Sequence, residues 1–235
     1  MIKLYDLVGR DGLHFSPFGW RARMALAHKG VTAQIVPVRF GEIADIPHTG
    51  EPWKSVPILE HDGKMIFDSW HIATYLEENF SDGESLFGGE RGVAFNGFFK
   101  NWVELSVHRL FAPALMREVL DCIDNRDTEY FRTSREKRFG KTLEELASNA
   151  DAGIQAARDA LMPASKALER AKFFGGETPV FSDYILFASL QWARLVSNKD
   201  VIGADEPLQA WMDRCLNLFS SMAKSHLSRR ERDNR

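Results

Sequence analysis

SVPILEHDGKMIFDSWHIATYLEENF, residues 55–80, changes its period part-way along. Val56 to Glu60 is short and apolar, Asp62-Gly63 is a turn signal, and Met65 to Phe67 is apolar again. This first half reads as a β-hairpin. From Ser69 to about Phe80 the repeat becomes helical, with Ile72, Ala73 and Leu76 on one face.

Upstream the text alternates in the same way. IKLYDL, Ile2 to Leu7, reads as a buried strand, and VGRDGLHF is a polar loop. Pro17 opens a helix that runs to Lys29 and stops at Gly30. TAQIVPV, Thr32 to Val38, is a second strand whose Pro37 predicts a sheet edge. Arg39 to Pro52 carries Gly, Pro and small polar residues and reads as a loop or poorly formed helix. The order is β-α-β-loop-β-β-α.

Downstream, SDGESLFGG marks a change of composition, and nearly every later segment has helical period. Phe95, Phe98, Trp102 and Leu105 step by three and four and predict a buried stripe, with Pro113 kinking or ending that helix. Ile185, Ala188, Trp192 and Leu195 repeat the pattern, and Leu208, Trp211, Met212, Cys215 and Phe219 mark a last helix. The expected organisation is an α+β domain over 1–80, a linker over 81–90, an all-α domain over 91–228, and a frayed polar tail over 229–235.

The 235 residues are 44% apolar, ample for a core, and the formal charge of −3 gives no general attraction to nucleic acid or anionic membrane. Two cysteines, Cys122 and Cys215, are too few for a disulfide framework or a metal site. Reduced thiols, no apolar targeting run and no membrane-spanning run make the expectation a soluble, cytoplasmic protein with no metal.

Three features of the N-terminal domain carry chemistry. Ser16 stands at the start of the Pro17 helix, where unpaired N–H groups and about half a positive charge favour an anion such as a thiolate. Val56-Pro57 precedes a strand and exposes extended backbone to a ligand, and its X-Pro bond is of the kind that adopts cis. Asp68 can receive an ammonium, while Ser69 and the helix N–H groups can grip a carboxylate. Each also has an architectural reading, as a helix cap or an ordinary strand-opening proline. Together they fit an anionic tripeptide bearing a thiol.

With these residues in place the sequence resembles the glutathione transferases. The resemblance implies a thioredoxin-like βαβαββα domain followed by an all-helical domain, a homodimer, and glutathione as the cofactor. Ser16 falls where the serine classes keep the residue that activates the thiol. Val56, ahead of cis-Pro57, implies main-chain pairing with the cysteinyl unit, and Asp68 and Ser69 imply recognition of the γ-glutamyl end. Lys54 is the candidate for the glycyl carboxylate, with His48 a weaker one. LYDL, SPFGWRARMALAHKG and VPILEHDGKMIFDSWHIATYLEENF are similar to the bacterial β-etherase group and its fungal relatives. That likeness implies attack by glutathione on an aromatic or hydrophobic electrophile, with β-aryl ether cleavage as one reaction. The alternative is a non-catalytic binder of hydrophobic ligands on the same fold.

The sequence also departs from the family. TPVFSDYILFASL keeps Asp183, read as structural, but Val180 stands where the family has a capping Ser, Thr or Asn; valine offers no acceptor, at a cost of about 1 kcal/mol unless something compensates. Neither cysteine lies in the N-terminal domain, which argues against thiol transfer by a protein thiol. Leu13, His14, Phe15, Leu110, Leu115 and Met116 are the candidates for the electrophile pocket.

Overall fold

The computed structural model describes residues 1–234. Its first part is a four-stranded mixed sheet of β1 (Ile2–Leu7), β2 (Gln34–Val38), β3 (Ile58–His61) and β4 (Lys64–Phe67), in the order β2-β1-β3-β4. β1 runs parallel to β2 and antiparallel to β3, and β3 forms a hairpin with β4. β2 is an edge strand, as Pro37 requires. Helices α1 (Pro17–His28) and α2 (Ser69–Asn79) pack together beside the sheet, and Ile72, Ala73 and Leu76 are fully buried. The segment Arg39 to Pro52 holds only one short 3₁₀ stretch, Phe40–Asp45. This is a thioredoxin-like domain, and all that follows is helical.

α3 (Glu90–Trp102), a π-helical turn (Val103–His108) and α4 (Arg109–Cys122) follow one another without a break. Of the predicted stripe only Trp102 packs against the core, and the other three residues face water. Phe98 is 70% exposed, Leu105 64% and Phe95 44%. One buried line, Phe99, Val103, Val107, Phe111, Leu115 and Val119, runs along it at a spacing of four, with Ala112, Ala114, Met116 and Leu120 widening the buried face of α4. A step of four overshoots a 3.6-residue turn, so such a line drifts around an α-helix. The wider i→i+5 turn at Val103–His108 takes up that drift and keeps the line facing inward. Pro113 neither ends α4 nor starts it; it lies inside, one turn after the π segment.

α5 (Thr128–Phe139), α6 (Leu143–Ser148) and α7 (Ala150–Leu168) wrap around α4, and α8 (Phe181–Val196) lies at the centre, buried at nearly every residue. The start of α8 is served from outside. Phe181 N–H bonds Leu86 O at 2.7 Å, and Ser182 N–H bonds Oδ1 of the buried Asn96 of α3 at 2.5 Å. Asp183 in turn accepts from the N–H groups of Val180 (3.0 Å) and Phe174 (2.9 Å) and from Trp211 Nε1 (2.8 Å). Asn96 therefore supplies the acceptor that Val180 lacks, and the expected loss of a cap is compensated.

α9 (Glu206–Ser221) buries Leu208, Trp211, Met212 and Cys215, but its helical path breaks at Leu218–Ser220, which leaves Phe219 at φ +51°. The expected frayed tail is also corrected. Arg229–Asp233 forms α10, capped by Ser228 and Glu231. Arg232 donates to Leu195 O and Asn198 to Asp233, so the segment is fastened to the end of α8. No helix among the described residues is long and apolar enough to cross a membrane.

Candidate active site

The sheet register brings the candidate residues to one end of the molecule. Ile58 pairs with Tyr5 on one side and Phe67 on the other, and it is the last rung of the hairpin. Val56-Pro57, just before Ile58, and Asp68-Ser69, just after Phe67, therefore share one end of the sheet. β1 leaves the sheet at that end and leads through the loop to Ser16. The Val56–Pro57 bond is cis, and Val56 lies outside the strand ladder, which begins at Ile58.

Ser16 is the N-cap of α1: its Oγ accepts the Gly19 N–H at 3.1 Å, and Pro17 occupies the first helical position, where a missing N–H costs nothing. The hydroxyl accepts this bond and so keeps its O–H proton to give elsewhere. A side chain is excluded at Gly19, because a Cβ there would stand 1.9 Å from Asp6 Oδ1. Asp6, buried in β1, pairs with Arg23 Nε at 2.7 Å and lies 3.1 Å from His14 Nδ1. His14 is thus turned to the sheet, not to the candidate site.

Asp68 caps α2 through Trp70 N–H at 2.8 Å and holds φ +74°, an uncommon conformation for a residue with a side chain. The buried Ser69 Oγ has no protein partner. Arg21 of α1, fully buried, bonds Glu104 of the π turn at 2.6 Å and ties the sheet domain to the helical one. Burial lowers the Arg21 pKa, and the Glu104 carboxylate opposes that shift.

A cavity of about 810 Å³ opens between the two domains. Ser16, Lys54 and Val56 line it, while Pro57, Asp68 and Ser69 lie off its wall. Of the expected electrophile contacts Phe15 and Met116 line it, whereas Leu13, His14, Leu110 and Leu115 do not. His48 is also elsewhere, bonded to Gly50 O.

Sequence reasoning missed the far wall: Glu104 and His108 of the π turn, and Tyr130, Phe131, Arg135 and Arg138 of α5. The signal was present, since Phe131, Arg135 and Arg138 follow the i, i+4, i+7 spacing of one helix face. His108 is held neutral, its pKa pushed down to about 4 by burial and by the nearby Arg21. The cysteines take no part: burial raises the pKa of both Cys122 and Cys215, and neither lines the cavity.

Residues 15–79 match the family described as glutathione S-transferase, N-terminal domain, and residues 94–224 match glutathione S-transferase, C-terminal domain. The chain belongs to the glutathione S-transferase family. Among its family relatives, it is 25% identical over 215 residues to glutathione S-transferase U22 of Arabidopsis thaliana, covering 90% of this chain and 86% of that protein. It is 25% identical over 206 residues to the glutathione S-transferase-like protein ustS of Aspergillus flavus, covering 74% and 72%. In fold it is similar to glutathione transferase GSTFuA3 from Phanerochaete chrysosporium, with a TM-score of 0.82, 23% identity, and 94% and 96% of the two chains covered. A glutathione S-transferase of Ceriporiopsis subvermispora, solved in complex with glutathione, aligns with a TM-score of 0.80 and 23% identity over 93% of this chain and 96% of that one.

Proposed function

We propose that this chain is a serine-type glutathione transferase that ionises the glutathione thiol at Ser16 and directs the thiolate at an aromatic electrophile. One observation carries the reading. Ser16 lines the interdomain cavity at the N-terminus of α1, and its hydroxyl accepts from Gly19 while its own proton has no protein acceptor among the described residues, so that proton is free for a sulfur anion. A thiol pKa near 8.5 falls when its anion gains that hydrogen bond and the positive end of a helix.

The rest of the tripeptide has a partner at each end. The free main chain of Val56, ahead of cis-Pro57, suits the cysteinyl unit. Asp68 and the unpartnered Ser69 hydroxyl suit the γ-glutamyl ammonium and carboxylate. The exposed Lys54 suits the glycyl carboxylate. The left-handed conformation of Asp68 supports a binding role, because strained backbone collects at ligand-gripping positions.

In the reaction the thiol proton leaves to solvent, and Ser16 donates a hydrogen bond to the sulfur without ionising. A carbon–sulfur bond forms as the bond from carbon to the leaving group breaks, and the leaving group departs with the electron pair. In β-aryl ether cleavage, the finer assignment we favour, the leaving group is a phenolate. Its aromatic rings fit a cavity walled by Phe15, Phe40, Tyr130 and Phe131. We further infer a homodimer, because Phe95, Phe98 and Leu105, with Phe67 of β4, leave an apolar face of the monomer in water.

The test is ultraviolet difference absorbance of the glutathione thiolate on the protein at neutral pH, followed by turnover of aryl halides and β-aryl ether compounds. A thiolate signal with turnover of either class is expected. Glutathione bound as the thiol, with no turnover, would leave a non-catalytic binder.

A further inference from the structure

The far wall of the cavity carries positive charge that no carboxylate among the described residues neutralises. Arg135 and Arg138 stand one turn apart on α5, and both line the cavity. Neither has a carboxylate partner among the described residues. Glu136, between them in sequence, is bonded by Arg132 and by the Leu143 N–H on the other side of the helix. Glu104, the one carboxylate on the cavity wall among the described residues, is held by Arg21 and Lys100. Two like charges at i, i+3 repel one another unless an anion lies between them.

The surroundings of this pair are aromatic. The half-buried Arg135 guanidinium lies 4.6 Å from the Phe131 ring centre and 5.3 Å from that of Phe40, which holds its flat fork in place. A cavity with aromatic walls and a guanidinium pair that has no carboxylate partner is complementary to a flat ring bearing a carboxylate.

We propose that Arg135 and Arg138 select an aromatic electrophile that carries a carboxylate, their guanidinium groups pairing with it while the ring lies against Phe40 and Phe131. This deepens the transferase reading and rests on it for the reaction, though not for the binding. The tripeptide's own carboxylates are assigned to Lys54, on the sheet-domain side of the cavity, and to the start of α2, off its wall.

The experiment compares 4-chloro-3-nitrobenzoate with its methyl ester at saturating glutathione, each rate divided by the uncatalysed rate with glutathione in buffer. The acid and ester share the reacting carbon and the leaving chloride. A preference for the acid of about tenfold or more is expected from a charge-assisted pair. Arg138→Gln, at an exposed position, should cut that ratio several-fold, and the double variant Arg135→Gln/Arg138→Gln should bring it near one. Lys137→Gln, which removes the same charge from α5 off the cavity wall, should leave the ratio intact.

A wild-type ratio near one, or a ratio that survives in the double variant, would overturn the proposal. So would an unchanged ratio with weakened glutathione binding, which would assign the arginines to the tripeptide. Calorimetry with the benzoate alone separates the two ideas. Benzoate binding that is lost in the double variant of a protein without turnover would sink the transferase reading and keep the anion site.

Discussion

If Ser16 holds the thiolate as proposed, replacing it by alanine removes two hydrogen bonds of different kinds, and their costs fall on different measurements. The bond from Gly19 N–H to Oγ, 3.1 Å long, caps α1, and losing such a cap costs about 1 kcal/mol of stability. The bond from the hydroxyl to a thiolate is charge-assisted and contributes about 1.5–3 kcal/mol. At 1.36 kcal/mol per unit, its loss raises the bound thiol pKa by about 1–2 units. From a bound pKa of about 6.5–7.5 back to about 8.5, the thiolate fraction, and with it kcat/KM at neutral pH, then falls about 10–25-fold, while the KM for glutathione stays within a few-fold. The assay is the pH dependence of kcat/KM with an aryl halide: the alkaline rise should move up by the same 1–2 units, with activity recovered at high pH. Ser16→Asp separates the two roles, because aspartate caps as well as serine but repels a thiolate. It should keep the thermal stability of the parent and be less active than alanine. An alanine variant with unchanged kcat/KM and an unshifted pH profile would refute the role of Ser16, and so would an active aspartate variant.

Four further outcomes follow from the geometry. Gly19→Ala, with its Cβ 1.9 Å from Asp6 Oδ1, should destabilise the protein by about 2 kcal/mol or more and loosen the Asp6–Arg23 pair, checked by denaturant unfolding. Asp183→Ala should cost about 3 kcal/mol or more in the same assay, because it leaves the buried Trp211 Nε1 and the partly buried N–H groups of Phe174 and Val180 without their acceptor. The His108 pKa is lowered from 6.5 to about 4, so the unfolded chain binds its proton more tightly. The stability this gives is complete above pH 6.5 and is lost as pH falls towards 4, on the order of 3 kcal/mol. His108→Gln should flatten the stability–pH curve in that window only in part, because His226 is shifted to about 4 as well. Phe98→Glu, on the exposed face of α3, should yield monomers in sedimentation velocity, and a dimer that survived it would place the interface elsewhere.

The legible parts of the sequence were those whose signal is local. The Asp62-Gly63 hairpin, the Ser16-Pro17 helix start, the edge position of Pro37 and the Ile72–Leu76 face each depend on a few neighbouring residues. The stripe at Phe95, Phe98, Trp102 and Leu105 misled because periodicity reports an apolar face without saying what will cover it. Asn96 capping α8 across 86 residues, Glu231 and Arg232 fastening the tail, and the cavity wall on α5 have no local signature strong enough to find them.

Residue order alone determined the strands, the helices and the hydroxyl at the head of α1, because backbone conformation answers to adjacent side chains. Tertiary packing alone decided that Ser16, Val56 and Asp68 meet at one end of a sheet, since only the pairing of Ile58 with both Tyr5 and Phe67 brings them there. It also decided which arginines are left without a counter-charge. Whether a guanidinium finds a carboxylate depends on distances across the fold, which sequence spacing does not contain.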